Sequence, residues 1–317
     1  MKDVFERFRK SNVFFNFLGL IILMILASII TPDFRNFGNM ITILRQASVL
    51  LVLSSGLTVV LLTGGMDLSV GATAGVVGCI CAQCLKSGIP VFFCLLIGLA
   101  IGAVVGLVNG LLAGILPSFI ATYGTNWVMS GLAVLVMQGA IIYDLPAGFT
   151  NISVGYQGFM PNLVIIAAVV VVLFYILLSK TTYGRRIYSY GSNPTAARYA
   201  GMPSKQIMIS AFMICSVCAG FAGMLMSARL NAADAAMGDS YGLQTVAAVV
   251  VGGTSMLGGE GGILGTVIGA LILTIIINVM NLLGVSSFAQ GLVIGLAVIG
   301  MVLFDSLSKS RQAKDNG

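Results

Sequence analysis

Long apolar stretches follow one another along most of this chain, separated by short segments rich in glycine, proline or charge. None of them alternates apolar and polar residues in segments of about ten, as a membrane-spanning strand does. About 20 apolar residues in a helix cross the hydrocarbon core of a bilayer. The pattern therefore predicts an all-α, polytopic membrane bundle with about ten transmembrane helices. The predicted spans cover 13–30, 47–62, 70–85, a fourth through 98–114, 117–142, 163–178, 207–227, 241–251, 263–283 and 288–304.

Clustered glycines interrupt the helical pattern twice, in TGGMDLSVG at 63–71 and in GGTSMLGGEGG at 252–262. Paired glycines end a helix, and Asp67 or Ser69 is suited to cap the next one by accepting its free N–H groups. At membrane depth, non-helical backbone occurs only where it is buried in protein or lines a cavity. Segment 63–71 is therefore either a border of a transport pathway or a tight turn at the cytoplasmic face.

Glycines also recur every four residues within predicted helices. One set is Gly98, Gly102, Gly106, Gly110 and Gly114; another is Gly261, Gly265 and Gly269. At this spacing they form a nearly continuous stripe against which another helix approaches closely. Asn109 lies beside the first stripe, where either a polar substrate or a neighbouring helix is a suitable hydrogen-bond partner.

The composition supports a membrane protein, because 58% of the residues are hydrophobic and only 8% are charged, against about 25% in soluble domains. Twelve of the 16 lysines and arginines fall in three clusters: Lys2, Arg7, Arg9 and Lys10; Lys180, Arg185, Arg186, Arg198 and Lys205; Lys309, Arg311 and Lys314. Such clusters mark cytoplasmic loops, so both termini are expected inside, with outer loops at 31–45 and 143–162. The net charge of +6 thus reports topology and not a nucleic-acid partner.

The chain lacks the groups that would power transport by themselves. It has no histidine, no charged residue in the centre of a predicted span and no G-x-x-x-x-G-K-[ST] phosphate loop. Its six cysteines lie in apolar runs, where packing explains them better than a metal site. No metal or cofactor is expected on this chain, so energy must come from a partner or from a gradient.

Segment 180–206 is the one basic stretch in the middle of the chain. Asn193 is predicted to cap a short helix that begins with Pro194, and Gly201 and Pro203 are predicted to end it. This helix either inserts into a cleft of a cytoplasmic partner or belongs to a solvated loop that only fixes the topology.

Several motifs resemble the permease subunits of ribose-type sugar ABC importers: LTGGMDLSVGA (62–72), PSFIATYG (117–124), YGRRIYSYGSNPTAARYAGM (183–202), AAVVVGGTSMLGGEGGILGTVIGALIL (247–273) and NLLGVSS (281–287). The resemblance covers nearly the whole chain. It implies a permease of the bacterial inner membrane, surrounded by lipid and paired with a second permease subunit, usually an identical copy. A cytoplasmic ATPase with two nucleotide-binding domains would bind ATP and Mg²⁺, and a periplasmic or tethered protein would deliver the sugar.

The resemblance also implies a single permease domain over 1–317, with a membrane bundle at 13–304, a coupling loop at 180–206 and a tail at 305–317. The implied coupling residues are Gly184, Arg185, Gly191, Asn193, Ala196, Ala197, Arg198 and Gly201. Thr195 stands where many importers have Glu, which removes an electrostatic contact with the ATPase at that position.

An uncharged sugar needs hydrogen-bonding groups but no counter-charge along its path. The candidates are Asp67, Ser69, Asn109, Asn126, Gln244 and Asn278. A passive channel or facilitator for small neutral polyols is the alternative function, although paired Asn-Pro-Ala motifs are absent from the sequence. A membrane enzyme is a third alternative.

Overall fold

The computed structural model describes residues 12–286, 289–293, 295–296 and 299–300 of the 317-residue chain. The N-terminal basic cluster, the tail at 305–317 and part of the span predicted at 288–304 lie outside these residues. In the first half the helices are α1 (Asn12–Ile30), α2 (Phe37–Leu62), α3 (Val70–Lys86), α4 (Val91–Ala113) and α5 (Ser118–Met137). They are followed by α6 (Ala147–Val154), α7 (Asn162–Lys180), α8 (Thr182–Ser192), α9 (Pro194–Tyr199), α10 (Ser204–Leu230), α11 (Asp239–Val251) and α12 (Ile263–Leu282).

The described residues form an all-α membrane protein. Six helices are long and apolar enough to cross a bilayer: α2, α4, α5, α7, α10 and α12. The apolar part of α1 (Phe14–Ile30) and helix α3 are shorter apolar helices, and α11 has only 13 residues. The all-α membrane class is confirmed, whereas the number of ten spans stays a prediction.

Helix α10 lies at the centre of the bundle and packs along α2, α3 and α4. Its contact with α4 runs along the glycine stripe. A Cβ atom added at Gly102 would lie 2.6 Å from the Ser216 carbonyl oxygen, and one added at Gly110 would lie 2.7 Å from the Ile209 Cα. The predicted close packing is therefore found along this stripe, except at Gly114, which only ends α4.

Two glycines of the second stripe pack in the same way, whereas Gly261 lies before α12 and contacts Thr254. Gly265 and Gly269 of α12 lie against the carbonyl oxygens of Gly252 and Ala248, at the end of α11. In both contacts the two helices are antiparallel, because residue numbers increase along one helix where they decrease along the other. Backbone-to-backbone contacts thus hold α4 on α10 and α11 on α12, as expected where small residues face each other in a membrane bundle.

The alternation of helix direction gives the bundle two ends. One end, here called the α9 face, carries segments 63–69, 114–117, 181–203 and 252–262. The opposite face carries 31–36, 87–90, 138–161 and 231–234, where the two-residue strands β1 (Ile142–Tyr143) and β4 (Ala232–Ala233) pair with each other. Residues 235–238 lie deeper in the bundle, against Gly71 and Gly75 of α3. Lys180, Arg185, Arg186, Arg198 and Lys205 lie at the α9 face, and Arg35, Arg45, Lys86 and Arg229 lie towards the opposite face. This separation agrees with the predicted topology; which face meets the cytoplasm stays a prediction.

The outer loop predicted at 31–45 is wrong over most of its length. A 3₁₀ turn spans Pro32–Arg35, and α2 already begins at Phe37 because the Asn36 side chain accepts a hydrogen bond from the Gly38 N–H. Arg45 therefore lies within a helix, with its guanidinium carbon 4.9 Å from the centre of the Tyr156 ring. A polar residue near a membrane border thus does not by itself end a helix.

The loop predicted at 143–162 also contains regular structure. Helix α6 occupies Ala147–Val154, and a small hairpin joins β2 (Tyr156–Gln157) to β3 (Met160–Pro161). Phe149 of α6 is buried, and the Ser153 hydroxyl donates to the Leu225 carbonyl oxygen at 2.8 Å. This segment is therefore folded and packs against the last turns of α10.

Candidate functional site

The basic segment after α7 is mostly helical, which corrects the prediction of a loop with one short helix. Thr181 ends α7 and caps α8, because its hydroxyl accepts a hydrogen bond from the Gly184 N–H at 3.1 Å. A Cβ atom at Gly184 would collide with the Leu178 carbonyl oxygen, so glycine allows this sharp turn. Ile187 and Gly191 face the bundle, while Arg185 is exposed.

Helix α9 begins and ends where the sequence predicted. The Asn193 Oδ1 atom accepts a hydrogen bond from the Ala196 N–H at 2.9 Å, and Pro194 takes the first position. After α9 the chain turns at Gly201, whose φ of 76° belongs to the left-handed region that glycine adopts readily.

The implied coupling residues of α9 divide into two groups. Ala197 is buried, with 4% of its surface exposed, and so fixes α9 to the bundle. Ala196 and Arg198 are exposed, and Tyr199 next to them is 88% exposed. The exposed group is available to a partner, whereas Ala197 cannot contact one in this conformation.

Three chain segments meet behind α9 through their backbones: residues 62–64, 191–193 and 258–261, here called the backbone junction. The Gly259 N–H donates to the Leu62 carbonyl oxygen at 3.0 Å. A Cβ atom at Gly191 would collide with that carbonyl oxygen, and one at Gly258 would lie 2.7 Å from the Gly64 nitrogen. The end of α8 and both glycine-broken segments are therefore in direct contact, with no side chain between them.

A side-chain hydrogen bond closes the junction on its exposed side. The Tyr188 hydroxyl donates to the Gly261 carbonyl oxygen at 2.9 Å. Burial raises the pKa of Tyr188 above its ordinary value, so the phenol keeps the proton that it donates. Tyr188 thus joins α8 to segment 252–262 through a side chain, in addition to the backbone contacts of the junction.

The first glycine-broken segment buries three of the predicted pathway residues. Asp67 is fully buried, and its Oδ1 atom accepts hydrogen bonds from the Ser69 N–H at 2.8 Å and the Ser69 hydroxyl at 2.6 Å. The Asn109 Nδ2 atom donates to the same hydroxyl at 2.8 Å. Asn109 thus bonds to the residue that precedes α3, and its role as a pathway residue stays a prediction.

The predicted capping of α3 by Asp67 or Ser69 is wrong. Ser69 occupies the N-cap position, but its side chain accepts no hydrogen bond from α3, because the hydroxyl is directed to Asp67. The segment is held instead from α5, since Ser118 and Thr122 accept hydrogen bonds from the N–H groups of Met66 and Leu68. Segment 63–69 is thus fixed from two sides.

We expect Asp67→Ala to lower the stability of the detergent-solubilised protein by about 1–3 kcal/mol, because two buried Ser69 donors lose their acceptor. Asp67→Asn should lose less, since its amide oxygen still accepts from the Ser69 N–H. Thermal denaturation measures both effects, and Asp33→Ala, at an exposed position, is the control. Equal stability of the two alanine variants would contradict the role assigned to Asp67.

The remaining pathway candidates lie apart from this cluster. Asn278 of α12 exchanges two hydrogen bonds with Asn39 of α2, at 2.8 and 3.0 Å, and is buried. Asn126 is partly buried on α5. Gln244 of α11 lines a cavity of about 450 Å³, together with Gln46 and Gln290. No sequence pattern indicates that these last two residues belong with Gln244, because they come together only in the folded chain.

The cysteines are free thiols. Cys84 is partly buried and the other five are buried, which agrees with a packing role. Among the described residues, no group of three or more His, Cys, Asp or Glu side chains could hold a metal ion.

Comparison with known proteins defines the class. The family profile described as "Branched-chain amino acid transport system / permease component" matches residues 39–304. The chain is 39% identical over 293 residues to the "Ribose import permease protein RbsC" of Bacillus subtilis (strain 168), covering 91% of both chains. It is 33% identical over 294 residues to the "D-allose transport system permease protein AlsC" of Escherichia coli (strain K12), covering 92% of this chain and 90% of that one. No solved structure matches the chain.

These matches identify a multi-pass membrane subunit of a bacterial ATP-binding-cassette importer, which carries no catalytic activity of its own. The chain belongs to the permease family described above, and its resemblance to the permease subunits of ribose-type importers is confirmed.

Proposed function

We propose that this chain forms the passage for a monosaccharide of the ribose or allose type, driven by a separate ATPase and supplied by a sugar-binding protein outside the cytoplasmic membrane. The names of the similar permeases support the substrate class. The backbone junction supports the proposed drive by an ATPase, because it connects the exposed helix α9 with both glycine-broken segments.

The α9 face is the cytoplasmic one in this proposal, because the basic residues gather there. Ala196, Arg198 and Tyr199 contact the ATPase, and Arg185 extends the same exposed surface. When the ATPase closes on ATP, it displaces α9. Because Ala197 and Gly191 are packed into the bundle, the ends of α2 and α11 move together with α9.

The glycine stripes give the bundle surfaces along which helices can shift. Helix α11 meets α12 through Gly265 and Gly269, and α4 meets α10 through Gly102, Gly106 and Gly110. Side chains do not interlock at these contacts, so small sliding movements cost little repacking. Displacement of segment 252–262 by α8 and α9 therefore moves α11, and the passage opens alternately to the two sides.

The assembly that follows from this proposal contains two copies of the permease and an ATPase with two nucleotide-binding domains. ATP and Mg²⁺ bind to the ATPase, and the permease itself holds no cofactor. Both termini lie in the cytoplasm, the bundle at 13–304 has ten spans, and residues 305–317 form a cytoplasmic tail.

Reconstitution in proteoliposomes tests the proposed function. With its ATPase, its binding protein and ATP, the permease should accumulate the monosaccharide above the outside concentration. The permease alone should accumulate nothing and should not equilibrate the sugar. Equilibration without the ATPase would support the passive channel or polyol facilitator instead.

A further inference from the structure

Three glutamines from distant parts of the chain line one cavity. Gln46 lies on α2, Gln244 lies on α11, and Gln290 follows α12. The cavity has a volume of about 450 Å³, within the range of about 300–1,000 Å³ that is usual for small-ligand sites. Its size therefore suits a single small molecule.

The cavity extends from the opposite face into the bundle. Arg229, at the end of α10, lies towards that face, whereas Asp239 follows Gly238, which contacts Gly71 inside the bundle, and Thr274 lies on the middle part of α12. Thr274 is roughly 16 Å along α12 from its start at the α9 face, at 1.5 Å per residue. A sugar released on the side away from the ATPase would therefore meet this cavity first.

The chemistry of the lining suits neutral hydroxyl groups. Each glutamine amide offers one acceptor and two donor hydrogens without a charge, which matches neighbouring hydroxyls of a sugar. Among the lining residues, charge is restricted to Arg229 and Asp239. The lining therefore carries no net formal charge and offers hydrogen bonds to a neutral ligand.

The structure also indicates how these groups are presented. The Gln290 Nε2 atom donates to the Asn281 Oδ1 atom at 2.8 Å and to the Val285 carbonyl oxygen at 3.0 Å, which fixes the orientation of its amide and leaves its Oε1 atom to bind a ligand hydroxyl. The Thr274 hydroxyl donates to the Ala270 carbonyl oxygen at 2.8 Å, so its lone pairs remain as acceptors. The Gln46 Oε1 atom accepts no hydrogen bond from the described residues. A rotation of that amide would satisfy this oxygen with a ligand hydroxyl.

The cavity is connected to the backbone junction through α11. Gln244 lies on this short helix, which ends at Val251, and the glycine-broken segment 252–262 that follows it contacts α8. Gln46 and Thr274 lie on α2 and α12, which flank α11. Displacement of segment 252–262 would therefore move Gln244 relative to the other two residues.

We propose that this cavity is a sugar-contact site, in which Gln46, Gln244 and Gln290 bind the hydroxyls of a monosaccharide after it leaves the binding protein. This proposal rests on the proposed function. It adds the residues that contact the sugar, and it assigns no such role to the buried cluster of Asp67, Ser69 and Asn109.

The test uses the complete importer in proteoliposomes with the double variant Gln46→Met and Gln244→Met, which keeps side-chain length but removes the amides. We expect sugar uptake to fall about tenfold, because the lost hydrogen bonds raise the barrier to entry. ATP hydrolysis stimulated by the loaded binding protein should stay near the wild-type rate, so fewer sugars enter per ATP.

The control is Gln83→Met, which removes an amide from α3, a helix that does not line the cavity. It should leave the number of sugars imported per ATP unchanged. Thermal denaturation of the variants establishes that they fold, and Gln46→Asn with Gln244→Asn should restore part of the uptake.

Two results would overturn the inference. One is an unchanged number of sugars per ATP in the double methionine variant; the other is a proportional fall of uptake and stimulated hydrolysis, which would assign the glutamines to coupling. Failure of the proposed function is distinguishable, because the wild-type importer would then show no ATP-dependent uptake.

Discussion

Gly191→Ala should abolish most ATP-driven uptake. The added methyl group collides with the Leu62 carbonyl oxygen and lies 2.6 Å from the Gly259 nitrogen, so the three segments of the backbone junction must separate. Both neighbours are backbone atoms and cannot move aside as a flexible side chain does. Overpacking of this kind costs about 1–3 kcal/mol. A change of about 1.4 kcal/mol is enough to shift the equilibrium between the two conformations of the permease tenfold.

Gly124→Ala is a matched control for this variant. Gly124 is also helical, but a Cβ atom added there would meet nothing within 4 Å. Alanine is intrinsically favoured over glycine in a helix by about 1 kcal/mol, so both changes should help their helices in the absence of collisions. Uptake and stimulated ATP hydrolysis should therefore fall only in Gly191→Ala. Equal activity of the two variants would contradict transmission through the junction.

Gly106→Ala should mainly destabilise the bundle. A Cβ atom at Gly106 would lie 2.5 Å from the Met213 Cα and 2.6 Å from the Phe212 carbonyl oxygen, so α4 must move away from α10. In a bilayer no hydrophobic force holds two helices together, and close packing supplies most of their attraction. We expect a loss of about 1–3 kcal/mol, measured as a lower temperature of thermal denaturation in detergent.

Gly131→Ala tests whether this loss reflects the helix contact. Gly131 lies on α5 and has nothing within 4 Å of an added Cβ atom. The control should denature at the wild-type temperature or slightly above it. If Gly106→Ala were as stable as Gly131→Ala, the tight contact between α4 and α10 would not be what holds these helices together.

Local signals in the sequence were sufficient for several parts of this architecture. The start of α9 follows from Asn193 and Pro194, whose effects on a helix end depend on adjacent residues. The stripe from Gly98 to Gly110 likewise predicts close packing, because its periodicity is a property of one helix. Most of the apolar spans could be placed within a few residues for the same reason.

Features that depend on contacts between distant segments could not be read from the sequence. Asp67 binds Ser69, and not α3, because Asn109 and the α5 side chains hold the segment in that conformation. Gln46 and Gln290 become relevant only when α2 and the segment after α12 lie beside α11. A sequence pattern identifies such groups as polar but does not indicate which of them meet.

The start of α2 illustrates a different limit. The charge of Arg45 predicts an outer loop, yet this residue lies in a helix, where the Tyr156 ring covers its guanidinium group. The residue that indicates the start of the helix is Asn36, a favourable N-cap residue nine positions earlier. Capping residues were thus a better guide to this boundary than charge was.

The central claim is that α9 and segment 252–262 move together when the ATPase binds ATP. Spin labels at Tyr199→Cys and Leu257→Cys, both at highly exposed positions, report the distance between them in the complete importer. A second pair, Tyr199→Cys with Phe92→Cys, reports the position of α9 relative to the opposite end of α4. On adding ATP, the first distance should stay constant while the second changes. A change in the first distance with a constant second one would contradict the account.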